Sequence, residues 1–369
     1  MTKILVNLVN QKGAGPKNIA RQFLLEPIDL VDAIFILNSA QVEGNLFGKK
    51  FIEYKEYDNK LIRCLYYMYF YYFWLPIYGL WSGIDRYLVF GNYLHGLIHC
   101  RKRVLIHHPY LFDFRAILRS SPKIMIIELC RFFVFRLLLI FRFRTVLVVQ
   151  TRSMMMKLNQ SLVSRFESKI VPNPISSDLK PQFRGEENLY TNQAKDSCKS
   201  RILRLGYISR YYPHKRFDLM LEFIRAFRGY NVPFSLTVTV DEFPEDIAAK
   251  IVAYPEIINL GEVSQANLQN VYNDLDITLY FSDRETFGNT ILESLMFAIP
   301  VFGLDRDYFT DFIVNHKSKL ISNSVKHMAE TINNITEDHD AFVALTSESR
   351  AYCSRFKDVK EWVAEMCDF

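Results

Sequence analysis

The chain has 369 residues, which at about 150 residues per domain points to two domains. Half of the residues are hydrophobic and 23% are charged, with 14 Gly and 13 Pro, so a disordered, collagen-like or low-complexity chain is excluded. Net charge is only +5, and the six cysteines form neither a Cys-x-x-Cys pair nor a metal-ligand spacing with the eight histidines, which argues against a disulfide framework and a zinc module.

Met1–Asn10 alternates Ile4, Val6 and Leu8 with Lys3 and Asn7, so it reads as a strand rather than a signal peptide, and a cytoplasmic protein in a reducing compartment is expected. Asn10–Ala20 follows that strand and opens a helix, where Gly13 and Gly15 allow backbone N–H groups to approach a phosphate or an acceptor. The third glycine of a dinucleotide fingerprint is missing, which counts against an oxidoreductase. Further strands are expected at Ala33–Leu37, Tyr87–Phe90, Val104–His107, Lys123–Glu128 and Thr145–Gln150. Cys64–Trp81 carries no formal charge over 18 residues, but six tyrosines, Pro76 and Gly79 make it a poor spanning segment. A buried or interfacial helix broken near Pro76 is expected. Residues 101–160 hold twelve Lys/Arg against Asp113 and Glu128. Within them, Arg131–Arg144 mixes arginines with Phe and Leu, which fits either a core element with arginines at its edges or an interfacial helix on a membrane. No nucleic-acid-binding pattern accompanies the charge.

Val171–Ile175 and the polar stretch after it mark a joint, placing one domain at 1–174 and a second at 175–351, with a closing helix at 352–369 free to pack back on the first. From Arg201 on, strand-like runs (Ile202–Ile208, Ser235–Val240, Ile257–Leu260, Ile277–Phe281, Pro300–Gly303) alternate with helix-like ones, as βαβ units of a doubly wound parallel sheet require. The fold class expected is α/β with two Rossmann-like domains, the first half being doubly wound as well.

Two loops carry the chemistry. Ser282–Leu295 follows one strand, and its Thr286–Gly288 turn leads into a helix whose first N–H groups, with Asn289 and Thr290, form an anion site. Glu285 in the loop and Glu293 two turns into the helix suit the hydroxyl groups of a nucleotide sugar. Gly206–Arg216 follows another strand, and Arg210 and Lys215 there neutralise a diphosphate. Two Asp-x-Asp patterns, Asp274–Asp276 and Asp305–Asp307, read as solvated loop charge, so no obligate metal is expected.

Glu285-x7-Glu293 with Phe287-Gly288, preceded by Gly206, Arg210 and Lys215, resembles the retaining glycosyltransferases of family 4, over roughly residues 201–305. The resemblance implies the GT-B fold, two Rossmann-like domains across a cleft. It implies donor-sugar contact at Glu285, ribose contact at Glu293, diphosphate contact at Arg210 and Lys215, and a donor loop including Phe287, Gly288, Asn289 and Thr290. Ala298 stands where that family usually has Gly, a departure expected to concern packing. Gly91-Asn92 and His107–Phe112 resemble acceptor-side loops, giving His107 or His108 as the histidine bordering the transfer site, His107 being favoured as the strand-terminal residue, with Asn92 and His108 on the acceptor side; Gln150, which ends another strand, is expected to line the same side. The implied reaction moves a sugar, with retention, from a nucleotide-sugar donor to a polyprenyl-diphosphate-linked saccharide in O-antigen, capsule or exopolysaccharide assembly. That acceptor would be met peripherally, at the inner face of the cytoplasmic membrane. A sugar-nucleotide epimerase of similar fold and a non-catalytic scaffold are the competing readings.

Overall fold

The computed structural model describes residues 2–9, 14–26, 32–38, 49–93, 98–118, 122–139, 144–161, 166–179, 202–315 and 317–368. The chain divides into two compact units, Met1–Pro174 with Asp358–Phe369, and Ile175–Lys357. Among the described residues no helix is long and apolar enough to cross a membrane.

The first unit is built on seven parallel strands in the order β3-β2-β1-β4-β5-β6-β7. These are β1 (Lys3–Asn7), β2 (Asp32–Asn38), β3 (Lys50–Tyr54), β4 (Arg86–Phe90), β5 (Arg101–Leu105), β6 (Thr145–Val149) and β7 (Glu167–Ile170). The central strands are apolar because helices cover both faces. On one face lie Phe70, Tyr71, Leu75, Phe135 and Leu139. On the other, helix α1 (Ala14–Leu25) packs beside the C-terminal Trp362.

Several expectations for this unit are corrected. Lys123–Glu128 belongs to a helix and not a strand; its unbroken apolar run has no period to distinguish the two. β3 and β7 are edge strands whose polar outer positions hide the strand pattern. β5 begins at Arg101, so Lys102 and Arg103 lie inside: Lys102 Nζ donates to the Ile98 and Cys100 carbonyls at 3.1 and 3.2 Å. Pro76 does not break its helix. Helical residues run from α2 (Lys60–Tyr69) through a π-helical turn (Phe70–Trp74) into α3 (Leu75–Trp81), and the Leu75 N–H reaches back to the Phe70 carbonyl. Widening the turn just before proline accommodates the lost i→i−4 bond.

The second unit has six parallel strands in the order β10-β9-β8-β11-β12-β13. They are β8 (Leu203–Tyr207), β9 (Phe234–Val238), β10 (Ile257–Asn259), β11 (Ile277–Tyr280), β12 (Val301–Leu304) and the short β13 (Ile321–Ser322). Asp276 is a correction: it is buried and takes the Arg204 backbone N–H at 3.0 Å and its guanidinium at 2.8 Å, because the charge precedes a central strand that removes it from water. Ala298 is another, since its φ of +56° makes the family's glycine a backbone requirement and not one of packing. Ala298→Gly is expected to raise stability by about 1 kcal/mol, seen as a higher urea midpoint; an unchanged midpoint would show that the methyl group's packing offsets the strain.

The predicted closing helix at 352–369 is also divided. One helix ends at Cys353, Phe356 stacks on Phe312 in the second unit at 5.4 Å, and a new helix, Val359–Cys367, belongs to the first. Trp362 lies there edge-on to Phe23 at 5.7 Å. Arg86 and Arg103 donate to the helix's last carbonyls at 2.7 and 2.6 Å, where its dipole favours cations.

Candidate functional site

In the second unit the strand order reverses between β8 and β11, so the loops leaving their carboxyl ends border the crevice in which open α/β sheets bind ligands. These are the two loops that the sequence singles out. They are laced together: the Asp283 N–H donates to the His214 carbonyl at 2.8 Å, and the Arg216 guanidinium reaches Asp283 at 3.0 Å. Lys215, ending a 3-10 turn (Pro213–Lys215), places Nζ 2.6 Å from Glu285 Oε1. Nζ also sits 5.4 Å above the Tyr280 ring. Burial alone would lower the Lys215 pKa and raise that of Glu285; their mutual attraction overturns both, leaving lysine above and carboxyl below their ordinary values. The pair is therefore ionised at neutral pH.

Gly288 has φ +105° and precedes α4 (Asn289–Met296) without a capping side chain. A Cβ at Gly288 would come within 2.9 Å of Ile291 Cδ1 and 3.3 Å of the Tyr280 hydroxyl, so glycine is needed for the turn that exposes the helix start. Asn289 and Thr290 occupy its first turn. Glu293 lies deeper, buried, with Oε2 accepting the Tyr272 hydroxyl hydrogen at 2.7 Å. Burial raises its pKa, against hydrogen bonds from Tyr272 and Gln265. A carboxylate has about four acceptor positions, so capacity for a ligand hydroxyl remains.

Arg210 is turned to Glu262 in the loop after β10, whereas Lys215 is paired with Glu285. Phe287, expected in the donor loop, has its ring buried and packed on Phe312 at 4.9 Å, so the side chain anchors the loop to the core. Tyr272 and Glu262 were missed. Gln265 and Tyr272, seven apart on the helix Gln265–Asn273, share a face, a spacing that could have revealed the first.

In the first unit the strand order reverses between β1 and β4. Gly13 lies outside the described residues, and Gly15 is the second residue of α1, among the first N–H groups that lack an intrahelical carbonyl. A line of polar side chains crosses the carboxyl ends of β4 to β7. Asn92 Oδ1 accepts the His107 backbone N–H at 2.6 Å, His107 Nδ1 faces Gln150 Nε2 at 3.1 Å, and Gln150 donates to Asn173. Asn173, read as linker between two prolines, was missed. Burial pushes the His107 pKa down to about 4, against the Gln150 hydrogen bond, so its imidazole is neutral, and donation by Gln150 to Nδ1 puts the proton on Nε2. His108 is bound differently: Nε2 lies 2.6 Å from Glu128 Oε2, whose other oxygen takes Arg131 at 2.6 Å. Burial would raise the Glu128 pKa, but His108 and Arg131 bring it below the ordinary value. Glu128 too was missed, being assigned to a strand.

Residues 195–355 match the family described as glycosyl transferases group 1. The match lies wholly in the second half of the chain. The matched stretch contains both loops, Lys215, Glu285 and Glu293 among its residues. The alpha-monoglucosyldiacylglycerol synthase of Acholeplasma laidlawii is 23% identical over 214 residues, covering 55% of this chain and 52% of that protein, so the chain spans about half the length of the curated relative it matches. Among solved structures, the sucrose-phosphate synthase of Thermosynechococcus elongatus aligns over 99% of this chain and 97% of its own at a TM-score of 0.71 and 10% identity. HepE of Anabaena, in complex with UDP and glucose, aligns over 100% and 99% at 0.67 and 13% identity. WaaG, a glycosyltransferase involved in lipopolysaccharide biosynthesis, aligns over 100% and 99% at 0.67 and 14% identity. The fold is thus GT-B, with two Rossmann-like parallel-sheet domains.

Proposed function

We propose that the chain is a retaining glycosyltransferase of family 4, transferring a sugar from a nucleotide-sugar donor to a lipid-linked saccharide acceptor in cell-surface polysaccharide assembly. The observation that carries this is the part-buried Lys215–Glu285 pair at the strand-order reversal, beside the uncapped start of α4 and with the buried Glu293 behind it. A nucleotide sugar has an anionic diphosphate for the first two features and hydroxyl groups for the carboxylates. In the reaction the bond from C1 to the diphosphate breaks, the acceptor oxygen bonds to C1 on the same face, and the acceptor proton passes to the departing phosphate. Charge grows on that phosphate, and Lys215, Arg210 and the helix N–H groups oppose it without an obligate metal. Arg210 is available because its exposed ion pair with Glu262 is worth at most about 1 kcal/mol. The UDP and glucose named with HepE, and the glucosyl lipid named by the Acholeplasma relative, support a nucleotide-sugar donor and a lipid acceptor.

Thermal-shift titration with UDP, GDP, dTDP and their sugars, run in chelator, tests the donor site. One nucleotide is expected to raise Tm, with Glu293→Gln weakening its affinity about tenfold, the loss of one buried charged hydrogen bond. Absence of a shift with all of them sinks the reading, and a shift that returns only with a divalent ion sinks its metal-free part. An epimerase would convert the donor sugar without acceptor; the transferase is expected to leave it unepimerised.

A further inference from the structure

We propose that the outward face of Lys60–Trp81, together with the outer side of the helix Pro122–Leu138, is a docking surface for an anionic lipid bilayer. The proposed function supplies the reason for such a surface, a lipid-linked acceptor, while the binding itself is independent of catalysis. Leu61, Leu65, Tyr69, Phe73, Ile77 and Trp81 recur every four residues, and all are exposed, from 54% at Tyr69 to 93% at Trp81. In an ordinary helix a four-residue repeat drifts by about 40° per step. The π-helical turn at Phe70–Trp74, with more residues per turn, takes back part of that drift and keeps the stripe on one side. The opposite side, with Phe70, Tyr71 and Leu75, is buried against the sheet. A helix that only covered a core would face water with polar residues; this one faces it with a continuous apolar patch.

The helix Pro122–Leu138 covers the same face of the sheet, its Phe135 sharing the core layer of Phe70 and Leu75. Its outer positions Ile126, Phe133, Val134 and Leu137 are exposed as well. Charge decides the occupant. Lys60–Trp81 contains Lys60 and Arg63 and no carboxylate, both cations being exposed at the start of the stripe. On the second helix the single acid, Glu128, is buried between His108 and Arg131, and the paired Arg131 guanidinium stays half-exposed on the outer side. A symmetric contact with a second copy would set these cations against themselves, whereas an anionic bilayer complements them and accepts the apolar side chains, with Tyr69 and Trp81 suited to the headgroup level. Glu128 also ties the docking helix to the acceptor-side His108, so membrane contact and acceptor loop share one element.

The test is flotation of the full chain with phosphatidylcholine vesicles, with and without phosphatidylglycerol, and tryptophan emission on the same samples. Binding is expected with the anionic vesicles, with a blue shift that Trp81→Phe abolishes. The triple variant Leu65→Asn, Phe73→Asn, Ile77→Asn is expected to partition about a hundredfold more weakly, from the apolar area it withholds from the bilayer. All three side chains are exposed, so its nucleotide binding and Tm are expected to stay unchanged. No vesicle binding by the unmodified chain, or equal binding by the triple variant, overturns the proposal. So does a dimer that ignores vesicles and is split by the triple variant, which assigns the face to a second copy. Nucleotide binding without vesicle binding sinks the docking surface alone; vesicle binding without nucleotide binding sinks the transferase reading alone.

Discussion

Lys215→Met is expected to lower kcat/KM about a thousandfold and to destabilise the protein by about 3–5 kcal/mol. Two separate causes give those effects, and a double variant separates them. Loss of stability arises because Glu285, held below its ordinary pKa mainly by the Lys215 charge against burial, is left as an unpaired carboxylate with little water around it. Loss of activity is expected because, in the proposed transfer, the cation that opposes charge on the departing diphosphate is gone. Adding Glu285→Gln is therefore expected to restore most of the melting temperature and none of the turnover. Recovery of turnover in the double variant would show that Lys215 serves only to neutralise Glu285. A stable Lys215→Met variant with lost turnover would show that water reaches Glu285 freely.

Acid is expected to destabilise the first unit through His107 by up to about 3 kcal/mol, the worth of moving its pKa from 6.5 to about 4. The sign follows from proton counts. Between those two values the unfolded chain takes up a proton that the folded ring, enclosed beside Gln150, refuses, so stability falls as pH falls through the window and is complete above it. His107→Asn is expected to flatten that part of the curve, compared by urea unfolding at steps from pH 7 to pH 4. Parallel curves for the two proteins would mean that the ring protonates in the folded state as easily as in the unfolded one. In the proposed transfer, a neutral His107 would offer an Nε2–H donor to a sugar or phosphate oxygen, with no positive charge at neutral pH.

Much of the second unit was legible because its strands are buried on both faces and its turns carry their own chemistry. The runs Ile202–Ile208 and Ile277–Phe281 have the apolar continuity of central parallel strands, and Gly288 marks a turn that only glycine adopts without strain. The first unit was harder to read. Aromatic residues blur both periods in Cys64–Trp81, and Lys102 and Arg103 disguise a central strand whose cations are satisfied by carbonyls rather than water. Lys123–Glu128 failed for the reason that short apolar runs generally fail, since four consecutive hydrophobic residues fit a helix or a strand equally.

The sequence by itself determined which residue types stand at the ends of which strands: Lys215 after β8, Glu285 after β11, Glu293 two turns beyond, and His107 after β5. Local spacing suffices for that, because strand, turn and helix periods are set by the backbone. Only the tertiary structure decided the pairings, Lys215 with Glu285, Arg210 with Glu262, Tyr272 with Glu293 and Glu128 with His108, each joining residues distant along the chain. It also decided that Phe287 faces the core and that Phe73 faces out. Such choices depend on which surfaces other elements cover, and the energy of burying a side chain or bringing two charges together is set by those neighbours and not by the residue's own position in the chain.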